Sequence, residues 1–309
     1  MVRRLLLAVS ALSGLPLLAA WFISHRILHP KPKVEDHGLS DFDLPAEEVS
    51  FPSRDGTRLA GWFIPARTKG RSPAIVLSHG WGRSRAELLP HADLLHRAGF
   101  AVLAFDYRHR GESGGDSITM GLRERDDLRG ALDLLAARPE VDAERIGVFG
   151  MSLGSVIAIL VAADDERVRA LVAEAPFSAP SAIMTRTLRH YYHLPSFPIA
   201  TLTKWLLERR LGGSLDSVQA VDVVGQLSPR PVLIIANERD AVVGSEESRR
   251  VFEAAGEPKQ FWLVPEAEHA CGWQAAPQAY ERRMVDFLRE SLGVAGASPA
   301  RAKRRTRRG

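Results

Sequence analysis

Short apolar runs recur along the middle of the chain at spacings that favour alternating strands and helices. Eight runs of five to eight residues are rich in β-branched, aromatic and leucine side chains and are bounded by polar or turn-forming residues. They occupy residues 47–51, 57–64, 73–78, 100–105, 144–149, 168–173, 231–236 and 259–264. We predict a β-strand at each of these runs.

The segments between the runs predict how the strands are connected. Residues 52–56 end in Asp55-Gly56, and Asp-Gly between two apolar runs is a hairpin signal, so the first two strands should be antiparallel. Helical periodicity follows over 86–97 and 123–137. Strands that alternate with helices predict an α/β fold, with a mostly parallel eight-stranded sheet covered by helices on both faces.

The N-terminal region carries a different apolar pattern. Leu5 to Ile23 is a run of nineteen residues without a charge, preceded by Arg3 and Arg4. That length fits a membrane span better than the core of a signal peptide, so we predict a single-pass N-terminal transmembrane helix. A cleaved signal peptide is the alternative. The basic residues on the two sides of the run balance, so the side of the membrane is not resolved.

Composition and charge fit one large domain with basic ends. The chain has 309 residues, 45% of them hydrophobic and 25% charged, which is enough for a sizeable core. The formal net charge is +4, but removing six basic residues near the C-terminus leaves −2. We therefore expect no nucleic-acid binding, whereas anionic lipid could attract the tail. The six residues are Arg301, Lys303, Arg304, Arg305, Arg307 and Arg308.

These features suggest four regions. We predict a membrane anchor over 1–29, a linker over 30–46 stiffened by prolines, the α/β domain over 47–293 and a basic disordered tail over 294–309. Arginine outnumbers lysine 35 to 6, which hints at a bacterial genome rich in G and C. We therefore expect a bacterial inner-membrane protein. The single cysteine excludes a disulfide within the chain.

One short motif points to covalent catalysis. Gly150-Met151-Ser152-Leu153-Gly154 lies between the apolar run 144–149 and a helix-like stretch of small and apolar residues. A strand, a sharp turn and a helix are the setting of a nucleophile elbow, in which the serine is exposed and the glycines allow close packing. Ser152 is therefore the candidate nucleophile.

A serine hydroxyl needs a base and a residue that holds the base. In the fold that uses this elbow, the order along the chain is Ser, then Asp or Glu, then His. Of the histidines after Ser152, His269 follows the last predicted strand, whereas the others come before the preceding one. Asp240 follows the strand 231–236 and is our candidate acid, with Glu238 in reserve.

The chain resembles the α/β-hydrolase family over roughly residues 47–293, because these motifs occur in the family's order. His79-Gly80-Trp81-Gly82 follows the third predicted strand and is similar to the family's oxyanion loop. The resemblance implies that the backbone N–H groups of Trp81 and Leu153 stabilise the oxyanion. The insertion over 178–228 resembles a small helical cap. Basic cap residues such as Arg186 and Arg189 are interpreted as a solvated face.

We therefore predict a serine hydrolase with the triad Ser152, Asp240 and His269 that cleaves carboxylic esters through an acyl-enzyme. The mechanism requires neither a metal nor another cofactor. Lipid and thioester acyl groups are further candidate substrates, because the expected anchor would hold the enzyme at a membrane. The alternatives are a serine peptidase of the same fold and a catalytically silent, membrane-tethered binding module.

Overall fold

The computed structural model describes residues 2–68, 70–191 and 193–294, with side chains described over 14–68, 70–189 and 193–294. The predicted basic tail lies outside this range, apart from its first residue. Eight strands form one sheet. They are β1 (Glu47–Pro52), β2 (Arg58–Ile64), β3 (Ser72–Ser78), β4 (Ala101–Phe105), β5 (Val141–Met151), β6 (Val168–Glu174), β7 (Val232–Asn237) and β8 (Lys259–Val264).

The strand order is β1-β2-β4-β3-β5-β6-β7-β8. Strand β2 pairs antiparallel with both β1 and β4, whereas the six strands from β4 to β8 are joined by parallel pairs. The predicted eight-stranded, mostly parallel sheet is therefore confirmed. The carboxyl ends of the parallel strands share one edge of the sheet, where catalytic loops gather in such folds.

Helices cover both faces of the sheet. They are α1 (Val2–Leu28), α2 (Leu89–Arg97), α3 (Glu124–Ala137), α4 (Leu153–Asp164), α5 (Pro180–Tyr191), α6 (Ile199–Leu211), α7 (Ala220–Val223), α8 (Ser245–Ala254), α9 (Gly272–Ala275) and α10 (Pro277–Ser291). The helix predicted over 86–97 is shorter than expected. Residues Arg85–Leu88 form a 3-10 turn, and α2 begins at Leu89 because Pro90 suits the first turn of a helix.

The core has one apolar layer on each face of the sheet. Residues of α3, α4 and α8 pack on one face, and residues of α2 and α10 pack on the other. Helix α4 is the most deeply buried, since every residue from Leu153 to Ala162 is buried. Both faces of the sheet are covered, which explains why the central strands are continuous apolar runs instead of alternating patterns.

The second half of α1 packs against the segment between β6 and β7, which contains α5, α6 and α7. Leu28 is buried with Leu207, Leu211 and Leu215, and Ile23 is buried with other residues of α5 and α6. Among the residues whose side chains are described, no helix is long and apolar enough to cross a membrane. The predicted transmembrane helix over 5–23 is therefore not supported; its first nine residues lie outside the described side chains.

Candidate active site

The nucleophile elbow is formed where β5 ends at Met151 and α4 begins at Leu153. Ser152 lies between them with φ 54° and ψ −120°, a conformation that non-glycine residues rarely adopt. Its N–H donates to the Glu174 carbonyl oxygen at 2.8 Å, and its own carbonyl accepts from the Ser155 N–H at 3.0 Å. These bonds hold the strained turn, which turns the Ser152 side chain toward the carboxyl edge of the sheet.

The two glycines of the motif are required by close backbone packing. A Cβ on Gly150 would lie 2.6 Å from the carbonyl oxygen of Gly154, and a Cβ on Gly154 would lie 2.2 Å from the carbonyl oxygen of Ser78. Real side chains do not approach backbone atoms so closely. Glycine at both positions therefore lets α4 start directly against β3 and β5.

The structure brings the three candidate catalytic side chains together. The Ser152 Oγ lies 3.0 Å from His269 Nε2, and His269 Nδ1 lies 2.7 Å from Asp240 Oδ2. A carboxylate can only accept, so Nδ1 carries the imidazole proton and donates it to Asp240. In the neutral ring, Nε2 is then free to accept the hydroxyl proton of Ser152. This arrangement has the geometry of a nucleophile, a general base and a residue that orients the base.

Asp240 is held in the ionised form by its hydrogen bonds. Its side chain is buried, which would by itself raise the pKa of the carboxyl. The hydrogen bond from His269 and those from the Val242 and Val243 N–H groups outweigh burial, and the pKa of Asp240 is lowered. Glu238, the reserve candidate, is exposed and accepts from the Glu266 N–H instead.

The loop after β3 approaches the serine from the other side. A Cβ on Gly80 would lie 3.7 Å from the Ser152 Cβ, so the backbone of this loop passes directly beside the nucleophile. No hydrogen bond from the Trp81 N–H is found within the described residues. Leu153 is the first residue of α4, so its N–H has no helical carbonyl to bind. Both predicted oxyanion donors are therefore free for a substrate.

His79 orders this loop instead of facing the nucleophile. Its Nε2 accepts from the Tyr107 N–H at 3.1 Å, which leaves Nδ1 to donate to the Gly80 carbonyl oxygen at 2.9 Å. Burial lowers the pKa of His79, so the ring is neutral. The loop bearing Trp81 is also tied to α1, since the Trp81 indole Nε1 donates to the Ile27 carbonyl oxygen at 3.0 Å.

Glu174, the last residue of β6, belongs to none of the motifs predicted from the sequence. Its buried carboxylate accepts from the Gly272 N–H at 3.0 Å and from the Tyr280 hydroxyl at 2.5 Å. Gly272 lies three residues after His269, so Glu174 fixes the loop that carries the base. Burial raises the pKa of this carboxyl. The sequence signal that could have identified Glu174 is its position as a charged residue directly after the predicted strand 168–173.

A cavity of about 500 Å³ opens onto Ser152 and His269. Its wall is mostly apolar and is assembled from α1, the loops after β3, β4, β6 and β7, and the helices α5 and α6 of the cap. The apolar side chains that line it include Ile23, Ile27, Met120, Leu153, Phe177, Ile183, Met184, Leu188, Leu207, Leu215, Val242 and Val243. Such a cavity can hold a medium-sized apolar group beside the nucleophile.

The sequence of residues 55–279, more than half of the chain, matches the family described as X-Pro dipeptidyl-peptidase (S15 family). The chain belongs to this family. The matched segment of this S15 member includes the oxyanion loop, the elbow, Asp240 and His269, whereas Tyr280 and the site residues on α1 lie outside it.

Three similar proteins extend this finding. The uncharacterized protein Rv2307c of Mycobacterium tuberculosis is 34% identical over 251 residues, covering 81% of this S15 member and 80% of the relative. The uncharacterized protein YfhR of Escherichia coli K12 is 29% identical over 253 residues, with 80% and 82% covered. The structure of the Pyrococcus furiosus esterase PF2001 matches with a TM-score of 0.72 and 27% identity, covering 86% of this chain and 99% of that one.

Family and fold agree on the class of protein. The S15 match and the esterase neighbour both support the α/β-hydrolase fold that the sequence predicted, and together they show that the chain is a serine hydrolase. The polar part of the cavity is mostly basic. Arg26, Lys33 and Arg83 line it together with one carboxylate, Glu87.

Proposed function

We propose that the protein hydrolyses carboxylic esters through an acyl-enzyme intermediate. In this proposal Ser152 Oγ attacks the ester carbonyl carbon while His269 Nε2 takes its proton, and Asp240 stabilises the imidazolium. The oxyanion receives hydrogen bonds from the N–H groups of Trp81 and Leu153. The C–O bond then breaks, and His269 returns the proton to the leaving alcohol. Water, activated by the same histidine, releases the acid.

The observation that carries the ester proposal is the character of the cavity beside Ser152. Its wall is largely aliphatic, which suits an acyl chain and offers few partners for the polar backbone of a peptide. The likeness to the Pyrococcus furiosus esterase PF2001 also favours an ester. The proposal includes lipid esters and thioesters as substrates. The same attack on the carbonyl carbon would release an alcohol from the first and a thiol from the second.

The family description favours a second candidate, a peptidase that removes Xaa-Pro dipeptides. Such an enzyme needs an anionic group to bind the free amino terminus of its substrate. Glu87 is the carboxylate that lines the cavity, and it already accepts from the Gly80 N–H at 2.9 Å and pairs with Arg83 at 3.1 Å. Because Glu87 already has these two partners, it is poorly placed to bind a free amino terminus, which weighs against the peptidase. The excess of cations around the cavity also weighs against it.

A direct comparison of substrates tests the proposal. The full chain, with α1 retained, is given p-nitrophenyl esters from acetate to palmitate and, separately, Xaa-Pro p-nitroanilides. We expect ester turnover with an optimum at medium chain length, and loss of turnover in Ser152→Ala. Cleavage of the anilides without cleavage of the esters would replace the ester proposal by the peptidase. A protein that does not label with a fluorophosphonate probe would be a silent binding module.

A further inference from the structure

The segment from α1 into the following loop gives the cavity two different surfaces. Ile23 and Ile27 extend its apolar wall, whereas Arg26 and Lys33 bring positive charge to the same space. Arg26 is half-buried and Lys33 is exposed. The cavity therefore combines an aliphatic interior with two basic side chains. Both come from α1 and the loop that follows it.

Backbone contacts place this segment beside the oxyanion loop. The Lys33 N–H donates to the Gly82 carbonyl oxygen at 3.4 Å, and Arg110 donates to the carbonyl oxygen of Pro30 at 3.2 Å. Together with the bond between Trp81 and Ile27, these contacts set the segment along residues 80–82. The two basic side chains therefore line the same cavity as Ser152, on a segment that contacts the oxyanion loop.

The charges around the cavity are not balanced. Arg83 is paired with Glu35 at 2.6 Å and with Glu87 at 3.1 Å. Over the described part of the chain, neither Arg26 nor Lys33 forms an ion pair with a carboxylate. The half-buried Arg26 attracts an anion more strongly than it would in open water, because the local dielectric at a mostly apolar cavity is lower, and the exposed Lys33 adds a weaker attraction.

We propose that the site binds esters whose alcohol part carries an anionic group, with Arg26 and Lys33 as the residues that bind this group. The acyl chain then lies against the apolar wall beneath the cap. This inference rests on the ester hydrolysis proposed above and names its substrate class. Phosphate and carboxylate both fit, since each accepts charge-assisted hydrogen bonds from arginine and lysine.

Three esters of the same acid test the inference. They are 1-decanoylglycerol, decanoylglycerol 3-phosphate and the decanoyl ester of glycerate, and release of decanoate is measured for each at low and at high salt. Charge-assisted hydrogen bonds should raise kcat/KM for the anionic esters about tenfold over the neutral one. Salt should reduce this ratio. A preference for the phosphate ester alone would identify phosphate as the group that the site selects.

Substitution of the two basic residues tests whether they cause the preference for anionic esters. In Arg26→Gln/Lys33→Gln the ratio of kcat/KM for anionic to neutral ester should fall toward one. Lys31→Gln is the matched control, because Lys31 is an exposed lysine of the same loop that does not line the cavity. An unchanged ratio in the double variant would overturn the inference. An equal fall of the ratio in Lys31→Gln would also overturn the inference, because it would show that long-range electrostatic attraction causes the preference.

Binding without hydrolysis separates this inference from the proposed function. Ser152→Ala protein is titrated with decanoylglycerol 3-phosphate by calorimetry, with and without the double substitution. Binding that is about tenfold weaker in the double variant supports the anionic site even if none of the esters is cleaved. Equal binding overturns the site even if neutral esters are good substrates. Absence of ester turnover by the unsubstituted protein would instead overturn the ester hydrolysis itself.

Discussion

The indole of Trp81 donates a hydrogen bond to the carbonyl oxygen of Ile27, 3.0 Å away. One partner belongs to the oxyanion loop and the other to the last turns of α1. Ile27 also lines the cavity that opens onto Ser152. The N-terminal helix is therefore part of the site, and a protein truncated before the α/β domain would lose one wall of its pocket together with a support of the oxyanion loop.

The packing of α1 can be tested by stability. Leu28→Ala should lower the free energy of unfolding by about 2–5 kcal/mol, because Leu28 is buried against α6 and its truncation leaves a cavity. Leu18→Ala, on the exposed side of the same helix, should change it by less than about 0.5 kcal/mol. Urea unfolding of the full chain measures both. Equal effects would mean that α1 does not dock on the cap in solution.

The identity of the acid can be tested by charge removal. Asp240→Asn should lower kcat about 10⁴-fold, since an amide at this position favours the wrong imidazole tautomer. Glu238→Gln is the matched control and should retain most activity, because Glu238 is exposed and does not contact His269. Steady-state kinetics on one p-nitrophenyl ester measures both variants. A larger loss in Glu238→Gln would transfer the role of the acid to Glu238.

Arg186 joins the cap to the loop that carries Asp240. Its guanidinium donates to the Ala241 carbonyl oxygen at 3.0 Å and pairs with Glu246 at 2.6 Å. The predicted solvated face is therefore only part of its role. Because the side chain is partly exposed, we expect Arg186→Gln to lower kcat roughly fivefold, with a smaller change in KM. The exposed Arg189→Gln is the control, and equal kcat values in the two variants would exclude a positioning role for Arg186.

The stability of the fold should fall in mild acid because of His91. Burial lowers the pKa of this histidine to about 3, while the unfolded chain takes up its proton near pH 6.5. The free energy of unfolding therefore decreases as the pH falls from about 6.5 to about 3.

Comparison with His91→Gln isolates this contribution. Between pH 7 and pH 5 the unsubstituted protein should lose about 2 kcal/mol more than the variant. Urea unfolding at the two pH values measures the difference. Equal losses would show that His91 takes up a proton in the folded protein.

Much of the fold could be predicted from local patterns. Each predicted strand overlaps an observed one. For the central parallel strands the reason is that a strand covered on both faces must be a continuous apolar run. The elbow was recognisable because both of its glycines, which close backbone contacts require, lie within two residues of Ser152 in the sequence. His269 and Asp240 were found from their places after strands, and the structure sets them within hydrogen-bond distance of each other. Their catalytic roles stay predictions.

The features that the sequence could not resolve depend on long-range contacts. An apolar helix that spans a membrane and one that packs on its own protein have the same composition, so the sequence could not show that Ile23 would lie against the cap. The inner-membrane location stays a prediction. Glu174 was missed for a related reason. Its partners Tyr280 and Gly272 lie about a hundred residues further along the chain, where no local pattern connects them.

The packing of α1 also sets an order of events during synthesis. The helix leaves the ribosome early, but α6, against which Leu28 is buried, ends at Leu211. Until that point has been translated, Leu28 lacks the buried partners that α6 supplies, and this part of α1 is open to chaperones. A nascent chain therefore cannot complete its substrate pocket before the cap has emerged, which delays hydrolytic activity until most of the protein exists.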